Sequence, residues 1–402
     1  MEVTLPDDVV QPDGGRIVLV VMDGLGGLPN GNTGHTELEA AHTPNLDRMA
    51  KKAALGLHVP VAHGIAPGSG PGHLALFGYD PIRYNIGRGV LSALGVGFEL
   101  EHGDIAVRLN LATIDASGNV VDRRAGRPPD EENRRLVAKL REGVQAPDGV
   151  HVFFEPEKEH RAVLVLRGQG LEPDVGDTDP QETGVPPVRA AALTESSQKT
   201  ADALRAVLDS AFDVLSDEKH ANAILARGID AYQSYPTFRE RFRLNALAIA
   251  RYPMYRGVAR LVGMDTHPIQ ESDAKSVEAL ASRFAEYDFH FIHFKAMDSR
   301  GEDGDFDAKV EAIEAIDRIM PGIEAVEPDV VVVTGDHSTP AALRSHSWHP
   351  VPIMIASKWC RPDGHATFGE RACRMGELGI FPAASIMTLA LAHAGRLAKF
   401  GA

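Results

Sequence analysis

A doubly wound, mostly parallel α/β sheet with an inserted α+β domain is the fold class this sequence predicts. Three observations carry that expectation. Strand-length apolar runs alternate with amphipathic helical stretches at both ends of the chain, the pattern of a parallel sheet. The middle instead mixes short alternating strands with two helices. With 402 residues, the chain is also too long for a single compact core.

The residues after Arg16 are continuously apolar to Met22, a strand buried on both faces that ends at Asp23-Gly24. Thr43 reads as a helix cap with Pro44 in the first turn, and Leu46, Met49, Ala50 and Ala53 give that helix its apolar face. Ala66 to Gly72, rich in Gly and Pro, predicts an open loop around Ser69, followed by a helix from His73 to Phe77. Strands are expected at Ala106–Ile114, Val152–Phe154 and Ala162–Leu166. A helix from Ser197 to Leu215 carries Leu204, Val207, Leu208, Ala211, Phe212 and Leu215 on one face. Further on, Phe289–Phe294 is a strand. Asp307–Met320 is a helix striped by Phe306, Val310, Ile313 and Met320, which Pro321 is expected to stop. Strands Val330–Thr334 and Val351–Ala356 come next, with a closing helix over Ala383–Lys399. The core domain is placed at 1–104 and 256–402 and the inserted domain at 105–255. Hinges are expected near 100–107 and 255–265.

Composition narrows the function. The 41 Lys and Arg against 56 Asp and Glu give a net charge of -15, which leaves no excess of cations for a nucleic-acid backbone. A small anionic substrate would need a local basic cluster. Cys360 and Cys373 are the only cysteines, too few for a disulfide scaffold, so a reducing cytoplasm is expected. Met1 to Gly15 is acidic and Ile17 to Met22 is too short for a signal or a membrane span.

The chemistry concentrates at strand ends, where open α/β sheets bind ligands. Asp23 comes directly after the first strand, although Asp-Gly is also a common turn. Asp336-His337 comes after the four valines and Gly335. Ser69 sits among glycines and prolines with no activating base in its motif, a role that a metal ion can take over. Asp298 and Glu302 stand where Phe289–Phe294 gives way to a helix; capping carboxylates are the plain alternative. A calcium loop starting at Asp303 fails because Ala308 stands where Gly is required. His346 and His349 precede the strand Val351–Ala356, and histidines clustered beside strand ends point to a metal site.

Taken together, Asp23-Gly24, a Ser in a Gly-rich loop, Asp298 with a site four residues on, Asp336-His337 and His346-Ser347 resemble the alkaline phosphatase superfamily. More closely, the chain is similar to the archaeal-type cofactor-independent phosphoglycerate mutases. That likeness spans nearly the whole length and includes Gly78-Tyr-Asp-Pro81 with Gly87-Arg-Gly89, the stretch Asp122 to Arg127, Asn222 with Arg227-Gly228, and Arg256 to Met264. The resemblance implies a sheet of alkaline-phosphatase type and two divalent metal ions. One would be held by Asp23, Ser69, Asp336 and His337, the other by Asp298, position 302 and His346. Ser69 would be the nucleophile and would become a phosphoserine. Manganese is the first choice, with magnesium, cobalt and zinc as alternatives.

The chain departs from the family at four points. Glu302 stands where the family usually has His, His349 where it usually has Asp, and Gly70 and Ser92 where it usually has acidic residues. The first two departures are opposite, which suggests a carboxylate and an imidazole exchanged, so that Glu302 supplies oxygen and His349 nitrogen. On the substrate side, phosphate and carboxylate call for forked donors. Arg123, Arg124 and Arg127 crowd one stretch, Arg161 opens a strand, Arg227 closes another, and Lys295 shares a strand face with His293; the resemblance supports all six as substrate ligands. The expected activity is interconversion of 3- and 2-phosphoglycerate, with no nucleic-acid or membrane partner and an open oligomeric state. A metal-dependent phosphatase or phosphotransferase of the same superfamily, and a non-catalytic metal-binding protein, are the alternatives.

Overall fold

A computed structural model describes residues 5, 6, 8–84, 86–362 and 364–401, so part of the acidic stretch Met1 to Gly15 lies outside the described residues. The strands, in chain order, are β1 (Ile17–Met22), β2 (Ala54–Val59), β3 (Ile105–Ile114), β4 (Val120–Asp122), β5 (His151–Lys158), β6 (Arg161–Arg167) and β7 (Ala223–Ala231). They continue with β8 (Ala246–Ile249), β9 (Asp265–Thr266), β10 (Phe289–Phe294), β11 (Val330–Thr334), β12 (Val351–Ser357) and β13 (Gly379–Pro382).

The chain divides into two compact units, one of Met1–Asn85 and Pro236–Ala402, the other of Ile86–Tyr235. The first is built on an eight-stranded sheet in the order β13-β2-β12-β11-β1-β10-β8-β9. Only β12 runs against its neighbours, pairing antiparallel with both β11 and β2. Strands β1, β10 and β11 are buried along their whole length, which is why they read as unbroken apolar runs. One face packs Val18, Val20, Ile292, Phe294, Val331 and Val333 against helical Leu46, Met49, Ile313, Ile316 and Met320. Each such side chain contributes about 1.5–3 kcal/mol by leaving water. The second unit is a five-stranded antiparallel sheet, β4-β3-β6-β5 with β7 on the far side of β3. Leu204, Val207 and Leu208 of the helix Gln198–Leu215 pack on it, as that helix's stripe predicts. No helix among the described residues is long and apolar enough to cross a membrane.

Several boundaries differ from expectation. The units exchange near residues 85 and 235, not 104 and 255. The helix Arg88–Val96 packs on β3 and β7, and β8 pairs with β10, so each segment belongs to the unit its contacts choose. The expected hinges fall on the start of β3 and on the helix Pro253–Leu261. Pro321 does not stop its helix, which runs from Phe306 to Glu324. A proline leaves the carbonyl four residues back without its donor. Here that carbonyl, of Asp317, accepts from Asn45 Nδ2 at 3.0 Å instead. The closing helix is only Ile386–His393, and Gly395, at φ +68°, turns the chain out of it. The loop around Ser69 is shorter than predicted, because the helix begins at Ser69 itself and runs to Leu76.

Candidate active site

Parallel strands deliver their carboxyl ends to one edge of a sheet. Asp23 succeeds β1 directly, Lys295 succeeds β10, and Asp336-His337 is separated from β11 by one glycine. Asp298 lies in the first turn of the helix Ala296–Asp303. Gly24 permits the close approach: it adopts φ +68°, and a Cβ on it would lie 2.8 Å from Asp298 Cα.

Asp23, Asp298, Asp336 and His337 are all fully buried. Ser69 Oγ lies 3.3 Å from His337 Nε2. The same nitrogen is 3.2 Å from Asp336 Oδ2 and 3.5 Å from Asp23 Oδ1. On the other side, His346 Nε2 is 3.3 Å from Asp298 Oδ1. The rings of His337 and His346 stack with centroids 3.6 Å apart. Two groups of ligand atoms therefore converge within 4.8 Å: Asp23, Asp336 and His337 in one, Asp298, His337 and His346 in the other.

The electrostatics fit bound cations. Burial alone would raise the Asp23 carboxyl, but Lys295, His293 and His337 hold it well below the usual range. Asp298 is likewise raised by burial, yet His346 and Lys295 bring it down to about 2. Lys295 Nζ, 2.5 Å from Asp298 Oδ2 and 3.1 Å from Asp23 Oδ2, is a positive charge between the two carboxylates. Asp23 Oδ1 and Asp336 Oδ2 are nonetheless buried without a well-made hydrogen bond. Leaving buried anionic oxygens unmet costs free energy, and divalent cations satisfy both the oxygens and the facing imidazole nitrogens.

Of the residues the sequence singled out, Asp23, Ser69, Asp298, Asp336, His337, His346 and Lys295 are brought together. Glu302 is at the edge: its exposed side chain reaches only to 3.8 Å from His346 Nε2. His349 is turned elsewhere, with Nδ1 3.1 Å from Ser347 Oγ and its ring stacked on Trp348. Neither belongs to the two converging groups.

Sequence reasoning missed four residues of the site. His73, one helical turn after Ser69, sets Nδ1 2.8 Å from the Ser69 carbonyl and 3.2 Å from Asp336 Oδ2. Its i+4 spacing from Ser69 was the available signal. His293 Nε2 is 3.2 Å from Asp23 Oδ2. Its i+2 spacing from Lys295, the residue that succeeds β10, was the available signal. Tyr255 donates its hydroxyl to Asp23, and Thr339 donates to Asp298; neither has a motif that marks it.

In the second unit the arginines sort into two sets. Arg123 grips the buried Asp179 through both forks, at 2.7 and 2.8 Å, and Arg227 reaches the same carboxylate at 3.3 Å. Arg227 does not close its strand, since β7 continues to Ala231 with Arg227 opposite Arg108. The other set surrounds His160, which is 3% exposed. Burial, then Arg161, Arg124, Arg108 and Arg127 in that order, press its imidazole down to about 3. A buried ring with four guanidinium groups beside it marks a strongly positive locality on an acidic chain.

Residues 50–221 match the family described as 2,3-bisphosphoglycerate-independent phosphoglycerate mutase. A relative from Thermus thermophilus, named as a probable enzyme of that description, is 51% identical over 398 residues, 98% of each chain. One from Aquifex aeolicus with the same name is 48% identical, covering 98% of this chain and 99% of its own. Among solved structures, a Pyrococcus horikoshii protein superposes with TM-score 0.82 at 30% identity, over 97% of this chain and all of the other. The cofactor-independent phosphoglycerate mutase of Thermoplasma acidophilum gives TM-score 0.70 at 30% identity, over 94% of this chain and 100% of the other. With half its residues identical to such relatives along almost its whole length, this chain belongs to the 2,3-bisphosphoglycerate-independent phosphoglycerate mutase family.

Proposed function

We propose that this chain is an isomerase that interconverts 3-phosphoglycerate and 2-phosphoglycerate, with Ser69 carrying the phosphoryl group between two transfers. The observation that carries the reading is the 51% identity, end to end, with a relative named for that reaction. The geometry at Ser69 supports it. The residue stands at the first position of a helix, where free backbone N–H groups and the helix dipole favour a phosphate.

Asp23, Ser69, Asp336 and His337 would hold one divalent cation; Asp298, His346 and, at the rim, Glu302 would hold the other. Manganese suits a set richer in carboxylate oxygen than in nitrogen, ahead of magnesium, cobalt and zinc. When bound, the pair supplies positive charge to the oxygens of the transferring group and to the serine hydroxyl. In the first transfer Ser69 Oγ bonds to phosphorus as the bond from phosphorus to the 3-oxygen breaks, and that oxygen takes the proton. In the second, the oxygen of the 2-hydroxyl bonds to phosphorus as the bond from phosphorus to Ser69 Oγ breaks, and the hydroxyl's proton ends on Ser69 Oγ. Lys295 offers a further positive charge beside both carboxylates. Arg124, Arg127 and Arg161, with Arg123 and Arg227, are the anion ligands proposed for the substrate. This reading implies a glycolytic enzyme of the cytoplasm.

Incubating the protein with Mn²⁺ and 3-phosphoglycerate tests it, with 2-phosphoglycerate read by coupling to enolase and free phosphate read alongside. Formation of 2-phosphoglycerate without matching phosphate is the expected result. Phosphate release without 2-phosphoglycerate would overturn it in favour of a phosphatase.

A further inference from the structure

The side-chain hydroxyl of Thr339 bridges Asp298, of one converging group, and His337, which belongs to both. Its Oγ1 lies 2.8 Å from Asp298 Oδ1 and 2.9 Å from His337 Nδ1. A hydroxyl has one hydrogen. Asp298 is paired with Lys295 at 2.5 Å through its other oxygen and is therefore an ionised carboxylate that only accepts. The threonine hydrogen goes to Asp298, and Oγ1 is left as an acceptor. His337 must then be the donor of the second bond, so its Nδ1 carries a proton. That leaves Nε2 as the nitrogen whose lone pair can face Ser69 Oγ, Asp23 and Asp336.

Thr339 is itself held from behind. Lys309 is completely buried in the helix Phe306–Glu324, and its Nζ donates to the Thr339 carbonyl at 2.8 Å and to the Gly26 carbonyl at 3.0 Å. The Thr339 N–H donates to Gly26 O at 3.0 Å. Glu37, also buried, accepts from Ala341 N at 2.8 Å and lies 4.0 Å from the ammonium. Gly301 packs so closely that a Cβ would come within 2.1 Å of the Thr339 carbonyl. A buried lysine spent on two carbonyls ties the loop after β1 to the loop after β11.

We infer that Thr339, anchored by Lys309, is a positioning residue that fixes the tautomer of His337 and joins the two metal-binding groups through the chain His337 Nδ1–H to Thr339 Oγ1–H to Asp298. The inference rests on the two-cation reading above. Partners one step removed from metal ligands typically govern metal affinity by about 10- to 100-fold. Removing one shared hydroxyl should therefore weaken both sites, although Thr339 belongs to neither converging group.

Mn²⁺ titrations followed by electron paramagnetic resonance provide the test, using wild type, Thr339→Ser and Thr339→Val. The expected result is two ions in wild type, near-normal affinity in Thr339→Ser, and a loss of about 10- to 100-fold at both sites in Thr339→Val. Wild-type affinity in Thr339→Val overturns the inference, as does an equal loss in Thr339→Ser, which would assign the effect to packing. A wild type that takes up no Mn²⁺ instead overturns the two-cation reading itself. Should Thr339→Val fail to fold, ¹⁵N–¹H correlation spectra of the Mg²⁺-loaded wild type still decide. A proton on His337 Nδ1 is expected, and a neutral ring protonated only on Nε2 sinks the proposal.

Discussion

His346 in the first unit and His160 in the second are the same side chain in opposite surroundings. Burial lowers the affinity of both for a proton, but Asp298 reverses this for His346 and lifts it to about 9. Around His160 the neighbours are Arg161, Arg124, Arg108 and Arg127, and the ring falls to about 3. Each unit thus collects one sign of charge in one place. Carboxylates at the ends of parallel strands are the proposed cradle for cations; guanidinium groups gathered around His160 are the proposed cradle for anions. The proposed reaction, on a phosphorylated acid with divalent metals, calls for both kinds of charge. Net charge, at -15, hides the second cradle completely.

The comparison breaks most severely at the nucleophile. Replacing Ser69 by Ala leaves both charge clusters in place but removes the oxygen that carries phosphate. Turnover should fall by at least about 10³-fold, and no phosphoprotein should form from labelled substrate. Activity near wild type in this variant would mean that the carboxylate cradle serves some other nucleophile.

On the basic side the two arginine sets make different predictions. Arg123 is already committed to Asp179 through a bidentate pair, whereas Arg124 and Arg127 are exposed beside His160. Losing a charged hydrogen bond costs about 1.5–3 kcal/mol, so Arg124→Ala or Arg127→Ala should lower kcat/KM by roughly 10- to 150-fold with little change in melting temperature. Arg123→Ala should lower the melting temperature as well, because it takes the bidentate partner from a buried carboxylate. Equal melting behaviour in all three would erase the division into an internal pair and a ligand-facing set.

The pH dependence of stability sharpens the same contrast. His160 titrates at about 3 when folded against an ordinary 6.5, so below 6.5 the unfolded chain binds the extra proton. The stability that this residue contributes is fully present above pH 6.5 and is lost as the pH falls from there towards 3. The slope is at most about 1.4 kcal/mol per pH unit from this residue alone. Urea unfolding of wild type and His160→Gln at pH 7 and pH 5 should show the variant losing less on acidification. Parallel losses would mean that burial and the arginines do not depress this ring.

Much of this is legible in the sequence alone. Val330 to Val333 announce a strand buried on both faces. The residues just beyond such a strand in a parallel sheet stand at the ligand-binding edge, so Asp336 and His337 can be placed without further knowledge. Asp23 and Asp298 are placed in the same way. Thr339 and Tyr255 are invisible because a single hydroxyl signals nothing until its partners, 41 and 232 residues away, are known. The expected domain boundaries miss because composition changes gradually along the chain whereas packing partners change at once. Pro321 misleads because its cost is met by Asn45, a residue 276 positions earlier.

The smallest effect is expected at the two positions where this chain departs from its family in opposite directions. An exchange of roles would require His349 to take part in the metal site, yet its Nδ1 faces Ser347 and its ring stacks on Trp348. Glu302 is better placed, 3.8 Å from His346, but its side chain is 56% exposed, where a charge gains little from its neighbours. Glu302→Gln should therefore weaken Mn²⁺ uptake only a few-fold, about 1 kcal/mol or less by the measure of exposed ion pairs. His349→Ala should leave uptake unchanged. Equilibrium dialysis of the two variants measures both effects. A loss in His349→Ala as large as in Asp298→Asn would revive the exchange and require the loop from Ser345 to Pro350 to turn this imidazole inward when the ions bind.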